Sequence, residues 1–168
     1  MTRTYAAFKD ALGQRESSNN YQAKNRYGYL GRYQFGKVRL CDLGLCMQMT
    51  RMRIEWLHGL TEQAFLDCPM LQDLVFDLHV AKLRAHVHWK FTLEEKSLTM
   101  SGAIAVMHLV GPGGLVGLLK GINFTDGNGV QASEYLRLFR GYQIPDTHPG
   151  QISLNAAIAM ALKKEIHS

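Results

Sequence analysis

Residues 16–34 read Glu16-Ser-Ser-Asn-Asn-Tyr-Gln-Ala-Lys-Asn-Arg-Tyr-Gly-Tyr-Leu-Gly-Arg-Tyr-Gln34. Ser, Asn, Gly and Tyr dominate this segment, and its apolar residues do not recur at the three-to-four spacing of a helix. We therefore predict a structured loop or a small hairpin. A carboxyl near aromatic rings, followed by amides and phenols that hold hydroxyls, is also a set of groups that a sugar-cleaving site uses. The simpler interpretation is a surface ion pair of Glu16 with Arg15 or Arg32.

The segment before this loop predicts a helix. Tyr5, Phe8 and Leu12 recur at the spacing of one buried helical face, and Thr4 is a suitable N-cap. The helix is expected to run from Tyr5 to about residue 15. Glu16 would then lie at its C-terminal end, directly beside the loop.

In the rest of the chain, apolar residues recur mostly at the spacing of a helix. Asp67 is expected to cap a long helix with Pro69 in its first turn, and Gly111-Pro-Gly-Gly114 is expected to break another. The predicted helices run from residue 69 toward Trp89, over a short stretch capped by Thr92, from Ser101 to Val110, over about Leu115–Lys120, from Ala132 to about Arg140, and from a Ser153 cap past Lys163. We expect a mainly α fold with at most a small β element near residues 27–36.

Length and composition favour one globular domain over residues 1–168, because 46% of the residues are hydrophobic and 20% are charged. No apolar run approaches the roughly 18 residues of a membrane span, and the N-terminus lacks the apolar core of a signal peptide. The expectation is a protein made in the cytoplasm without a signal peptide. Three cysteines without a Cys-x-x-Cys spacing favour a reduced state and no structural zinc.

Positive charge is concentrated in the first part of the chain. The net charge is +5, and residues 1–60 contain ten Lys and Arg against four Asp and Glu. Such a segment favours an anionic partner, for which nucleic acid and the acidic bacterial wall both qualify, and a solvated basic face is the simpler alternative.

The Glu16–Gln34 segment resembles, without a gap, the Glu-Ser-Ser-Phe-x-x-x-Ala-x-Ser-x-x-Gly-Ala-x-Gly-Leu-Met-Gln signature of lysozyme-like lytic transglycosylases. The residues that match in register are Glu16, Ser17, Ser18, Ala23, Gly28, Gly31 and Gln34. The resemblance implies a lysozyme-like α+β fold in which Glu16 is the catalytic acid and base, Ser17 and Ser18 brace it, and Gln34 lies in the glycan groove. Asn25 and Tyr33 depart from the signature, which has Ser and usually Met there. Both keep a polar or aromatic groove wall, and Tyr21 and Tyr29 are further candidates for substrate contact.

Two later segments are similar to the remaining motifs of this family. Ala105-Val-Met-His-Leu-Val-Gly-Pro-Gly113 is similar to its Ala-Ala-Tyr-Asn-Ala-Gly-Pro-Gly helix end, with His108 at the Tyr position and Leu109 at the Asn position. Ser133-Glu-Tyr-Leu136 resembles its late Glu-Thr-x-x-Tyr-Val element. The resemblance therefore implies that His108 contacts substrate and that Tyr135 helps to position the catalytic carboxyl.

The number of carboxylates near Glu16 bears on the reaction. No Asp or Glu lies between Glu16 and Asp42, so a single carboxyl is expected to release a 1,6-anhydro product, as lytic transglycosylases do. Hydrolysis by a muramidase remains open if Asp42, Glu55 or Asp126 reaches the site. A basic module that binds glycan or nucleic acid without cleaving it is the alternative from another functional class.

An enzyme of this type without a signal peptide would need delivery to the wall. A phage lysis or injection apparatus or a bacterial secretion machine is the implied route, with an immunity protein as a further partner of an effector. No cofactor and no metal are expected. His79, His86 and His88 share one predicted helix but lack further ligands, and the calcium-like segment from Asn123 to Glu134 is expected to be a plain turn.

Overall fold

The computed structural model describes residues 3–50, 53–90, 98–146 and 151–165, and these residues are mainly helical. The elements in chain order are α1 (Tyr5–Ser17), α2 (Lys37–Asp42), β1 (Cys46–Gln48), β2 (Ile54–Trp56), α3 (Glu62–Leu66), α4 (Pro69–Lys90), α5 (Met100–Leu119), α6 (Ala132–Leu138) and α7 (Gln151–Glu165). The prediction of a mainly α architecture with a small β element is confirmed. The predicted short helix at Thr92 lies outside the described residues.

The small sheet lies later in the chain than predicted. Strands β1 and β2 pair antiparallel, with Cys46 opposite Trp56. Residues 27–36, all of which are described, instead form turns with isolated bridges that join Leu30 to Lys24 and to Phe35. The β structure within residues 27–36 is limited to the antiparallel bridge of Leu30 with Phe35, because positive φ angles of 79° at Gly28 and 73° at Gly31 turn the chain before a strand can extend, and the sheet of β1 and β2 was not predicted.

The first helix has the predicted start. The Oγ1 atom of Thr4 accepts a hydrogen bond from the backbone amide of Ala7, at 3.2 Å, and its carbonyl accepts from Phe8. These bonds satisfy amide groups that have no partner within the first turn of a helix. The prediction of a helix that ends beside Glu16 is confirmed, since α1 ends one residue later.

Two predicted caps were wrong. Asp67 follows α3 as its C-terminal cap, and its carboxylate accepts hydrogen bonds from the side chains of Gln22 and Gln63. Helix α4 begins at Pro69, which suits the first helical position because it lacks an N–H group. Helix α7 begins at Gln151, so Ser153 lies inside it.

Helix α5 begins at Met100, earlier than predicted, because Thr99 caps it by accepting a hydrogen bond from the Gly102 amide at 3.2 Å. Ser101 is buried, and its hydroxyl accepts from the Tyr142 amide instead. The predicted break is confirmed at Gly111, whose φ of 75° and ψ of 172° divide the helix in two. The expectation that no apolar run approaches the length of a membrane span does not hold for α5, which could cross a membrane by length and apolar composition alone, although half of its most apolar stretch is buried inside the protein.

The chain divides into two compact units, which we name after their main features. The kinked-helix unit comprises Met1–Leu12 and Val80–Thr147, and the loop unit comprises Gly13–His79 and His148–Ser168. Helices α1 and α4 contribute residues to both units. The expectation of a single domain stays a prediction.

Each unit has an apolar core. In the loop unit the buried Tyr33 ring stacks on Phe76 with ring centres 4.0 Å apart, and Phe35 packs edge-on against Phe65. In the kinked-helix unit Phe8 packs against Phe139, at 5.9 Å between ring centres. Aromatic packing of this kind contributes beyond the burial of apolar area, so the loop that follows α1 is anchored in a core.

Candidate active site

Glu16 lies in the last turn of α1 and is half-buried. The helix ends directly after it because Ser18 and Asn19 have positive φ angles of 56° and 61°. The amides of these two residues donate to the carbonyls of Gln14 and Gly13, at 3.1 and 3.0 Å. Carbonyls that a helix end would leave unsatisfied are therefore paired, and Glu16 lies at a hydrogen-bonded corner of the backbone.

Ser17 joins the helix end to the far part of the loop. Its Oγ donates a hydrogen bond of 2.8 Å to the carbonyl of Arg32 and accepts one of 3.0 Å from the Asn20 amide. The side chain of Ser17 thus ties the two ends of the Glu16–Gln34 segment together, and the bracing of Glu16 that the resemblance implies for it stays a prediction. Ser18 is exposed and contributes the left-handed turn.

Asn25 shapes the middle of the loop. Its Oδ1 accepts hydrogen bonds from the amides of Tyr27 and Tyr29, at 2.9 and 3.0 Å. This is the local turn that asparagine side chains commonly form with their own backbone. The predicted substrate contact through this oxygen would compete with two bonds that hold the turn.

Gln34 and Tyr29 lie near the end of the loop. Gln34 has a φ of 49°, and its Nε2 donates to the carbonyl of Gly31 at 3.0 Å. Tyr29 is 44% exposed. Gly36 leaves room for the Tyr29 ring, because a Cβ at Gly36 would lie 3.0 Å from its Cε1. Both residues keep surface that a ligand can reach, and their predicted roles in the groove stay predictions.

Arg32 is the largest departure from the sequence-based interpretation. It is only 7% exposed, although it belongs to the basic stretch that was expected to face solvent or an anionic partner. Its Nε donates to Asn19 Oδ1 at 2.8 Å, and its Nη1 lies 2.8 Å from the Tyr21 hydroxyl and 3.3 Å from Asp73 Oδ1. The guanidinium of Arg32 is thus buried beside Asp73, and the alternative that Glu16 pairs with Arg15 or Arg32 stays a prediction.

Asp73, on α4, collects hydrogen bonds from two loop tyrosines. The hydroxyl of Tyr33 donates to its Oδ1 at 2.7 Å, and the hydroxyl of Tyr21 donates to its carboxylate at 3.0 Å. Burial, reinforced by the carboxylate, raises the pKa of both phenols above the ordinary value of 10.0. Both therefore stay neutral donors at physiological pH.

These bonds correct two substrate-binding predictions. Tyr33 is fully buried and belongs to the core, so it cannot form a groove wall. The Tyr21 hydroxyl is occupied by Arg32 and Asp73, so a sugar can reach only the exposed part of its ring. Asp73 was missed because it lies 40 residues beyond Tyr33 on a helix with no motif of its own.

The packing around Arg32 requires glycine at a nearby helical position. A Cβ at Gly13 would lie 2.6 Å from Arg32 Nε and 2.4 Å from Asn19 Oδ1. Glycine inside a helix costs about 1 kcal/mol relative to alanine. Close approach of the guanidinium to the last turns of α1 accounts for its presence, and it places the buried cation beside the helix end that carries Glu16.

Three carboxylates were considered as a second catalytic group, and each lies in a different part of the structure. Asp42 is exposed and pairs with Arg39 at 3.3 Å, and Glu55 is exposed on β2. Asp126 belongs to the kinked-helix unit, where its Oδ1 accepts hydrogen bonds from the amides of Asn128 and Val130. The predicted turn at Asp126 is confirmed.

His108 and Tyr135 also belong to the kinked-helix unit. His108 is half-buried on α5 shortly before the Gly111 kink. Tyr135 is buried on α6, and its ring packs against Phe139 with centres 5.1 Å apart. Their roles toward substrate and toward Glu16 stay predictions. Among the described residues, no group of three or more His, Cys, Asp and Glu side chains could hold a metal ion.

Comparisons with models of protein families, with curated proteins and with solved structures give no match. The fold and the candidate site therefore rest on the residues and contacts described above.

The buried tyrosine gives a prediction for stability at high pH. Since the pKa of Tyr33 is raised in the folded protein, the folded state binds more protons than the unfolded state once pH exceeds about 10, and the free energy of unfolding falls there. Below that pH the contribution is fully present. Tyr33→Phe should lower stability by about 1–2 kcal/mol near pH 8, and this deficit should shrink above about pH 10.

Urea unfolding near pH 8 and above about pH 10 measures the stability deficit of Tyr33→Phe. Tyr29→Phe, at an exposed tyrosine, is the control, and its stability relative to wild type should not change between these pH values. An unchanged deficit of Tyr33→Phe at the higher pH would contradict the assignment.

Proposed function

We propose that this protein cleaves the glycan strands of peptidoglycan at the β-1,4 bond between N-acetylmuramic acid and N-acetylglucosamine, with Glu16 as general acid and base. The spacing of the Glu16–Gln34 segment supports this proposal. The observation that carries it is the hydrogen bond from Ser17 Oγ to the Arg32 carbonyl, because it joins the helix end that bears Glu16 to the part of the loop that bears Gln34.

The chemistry needs one carboxyl that changes its protonation state. Glu16 gives its proton to the glycosidic oxygen as the bond from that oxygen to the muramic C1 breaks. The C6 hydroxyl of the same sugar then bonds to C1 and returns its proton to the Glu16 carboxylate. No water is consumed, and the product ends in 1,6-anhydro-N-acetylmuramic acid.

Surface charge supports a bacterial wall as the target. Arg26 is exposed on the loop, and its guanidinium lies over the Tyr27 ring at 4.8 Å from its centre. Lys24 is also exposed, but its ammonium pairs with Glu62. An exposed cation beside an exposed aromatic ring suits a polymer that has both sugar faces and acidic groups. Delivery by a phage lysis or injection apparatus or by a bacterial secretion machine, in the latter case with an immunity protein, belongs to the same proposal.

The reaction product tests the proposal. Purified sacculi digested with the protein should yield muropeptides with anhydro ends, about 18 Da lighter than hydrolysed ends because no water is added. Mass spectrometry of the digest, before and after borohydride reduction, distinguishes the two. Reducible ends would identify a muramidase, and Asp42→Asn, Glu55→Gln and Asp126→Asn would then be compared for loss of activity. Intact sacculi would overturn the proposed cleavage.

The role carried over to Tyr135 gives a further prediction. If its hydroxyl takes part in the reaction as the resemblance implies, Tyr135→Phe should reduce the rate about ten- to a hundredfold, equivalent to about 1–3 kcal/mol of transition-state stabilisation. Sacculus clearance at matched folded fraction measures it, with thermal unfolding as the control for core packing. A wild-type rate would assign Tyr135 to the core alone.

A further inference from the structure

Two of the three cysteines lie side by side in the loop unit. Cys41 is in the last turn of α2, Cys46 begins β1, and their Sγ atoms are 2.6 Å apart. The intervening turn is fixed by its backbone: Gly44 has a φ of 83°, and its amide donates to the Cys41 carbonyl at 3.0 Å. The Leu45 amide also donates to the Leu40 carbonyl at 3.0 Å. The two thiols are therefore held together by a turn that does not depend on them.

We propose that Cys41 and Cys46 are a redox site that closes to a reversible disulfide when the folded protein meets a small-molecule disulfide such as oxidised glutathione. The site uses no residue of the proposed cleavage reaction. Closure would tie the end of α2 to the start of the β1–β2 ribbon. A protein that moves from a reducing cytoplasm to an oxidising compartment would then carry this cross-link only at its destination.

The order in which the two cysteines react follows from how exposed each thiol is. Cys41 is partly exposed, whereas Cys46 is 3% exposed. The thiolate of Cys41 attacks one sulfur of glutathione disulfide, which forms a mixed disulfide and releases one glutathione thiol. Cys46 then loses its proton to solvent and attacks the Cys41 sulfur, which forms the internal bond and releases the second glutathione. Two protein thiols are oxidised and one disulfide is reduced to two thiols.

The surroundings of Cys46 support this order. Burial, together with the hydrogen bond to Cys41, raises the pKa of the Cys46 thiol to about 12. It therefore stays protonated at neutral pH and is a poor first nucleophile, while the adjacent Cys41 sulfur is within its reach once the mixed disulfide forms. The third thiol, Cys68, is buried immediately before α4 and has no part in the exchange.

Peptide mapping tests the proposal. Reduced wild-type protein is incubated with oxidised glutathione, quenched in acid, denatured, alkylated and digested with trypsin. The peptide spanning residues 40–51 contains Cys41 and Cys46 and no other cysteine. It should be unalkylated and about 2 Da lighter than its reduced, unalkylated form, through the loss of two hydrogen atoms. Cys68 should remain alkylated.

Variants and thermal unfolding provide a second readout. Cys68→Ser should give the same oxidised peptide as wild type, whereas Cys41→Ser and Cys46→Ser should not. The disulfide should raise the unfolding temperature of wild type and of Cys68→Ser by about 5 °C, and dithiothreitol should reverse the rise.

Three results would overturn the proposal: alkylation of both Cys41 and Cys46 after oxidation, a stable glutathione adduct on Cys41 as the final product, or a disulfide that includes Cys68. Because the peptide map of wild type needs no substitution, poor folding of a variant leaves the test intact.

Discussion

Glu16→Gln is expected to abolish cleavage of isolated sacculi and to leave the unfolding temperature nearly unchanged. The substitution keeps the volume of a half-buried side chain at the end of α1 and removes the proton that the glycosidic oxygen must receive. Loss of a proton donor without a substitute nearby should lower the rate by about three orders of magnitude or more. Turbidity clearance and mass spectrometry of released muropeptides measure it.

The same helix offers a matched control. Asp10 is an exposed carboxylate on α1, and Asp10→Asn changes the net charge by the same amount as Glu16→Gln. It should retain activity close to that of wild type, so a general effect of charge on wall binding can be separated from loss of the acid. More than about a tenth of wild-type activity in Glu16→Gln would move the catalytic acid to another residue.

The helices were the most predictable part of the structure. The start of α1 follows from Thr4 and the helical spacing of Phe8 and Leu12, and the break in α5 follows from Gly111 before Pro112. These signals are local, since a cap or a glycine acts within a few residues of itself. The same locality explains the error at Asp67, where a residue suited to begin one helix instead ends another.

The sheet and the buried charge could not be predicted in the same way. Strands β1 and β2 have three residues each, too few for an alternating pattern to emerge. Arg32 was counted with the surface charges because its burial depends on Asp73, 41 residues later. A tyrosine suits the wall of a sugar groove and an apolar core equally well by residue type. The structure decides between the two for Tyr33, because its ring stacks on Phe76.

Gln72 was also missed, and its side chain bonds both the loop and the end of α3. Its side chain is fully buried on α4. Its Oε1 accepts from the Arg32 amide at 2.9 Å, and the two hydrogens of its Nε2 are shared among the carbonyls of Tyr21, Phe65 and Leu66, which lie at 3.0 to 3.1 Å. One amide therefore connects both ends of the loop to the junction between α3 and α4.

The glycine opposite Gln72 shows how close this approach is. A Cβ at Gly31 would lie 2.1 Å from Gln72 Oε1, and Gly31 also has a φ of 73°. Both the backbone conformation and the space therefore exclude a side chain. A buried polar group held this closely stabilises the loop only while all of its partners are satisfied.

Gln72→Leu is accordingly expected to lower the free energy of unfolding by about 3–5 kcal/mol, because an apolar side chain of similar size leaves the Arg32 amide and the carbonyl partners without this amide. Urea unfolding followed by circular dichroism measures the loss.

Gln63→Leu is the matched control. Gln63 is exposed on α3, and the described contacts of its side chain are bonds to the exposed Asp67 side chain. The substitution should therefore change the free energy of unfolding by less than about 0.5 kcal/mol. Because Gln72 holds the loop that follows Glu16, any folded Gln72→Leu protein should also cleave sacculi more slowly than wild type. A loss of stability below about 1 kcal/mol would contradict the view that this single amide anchors the loop.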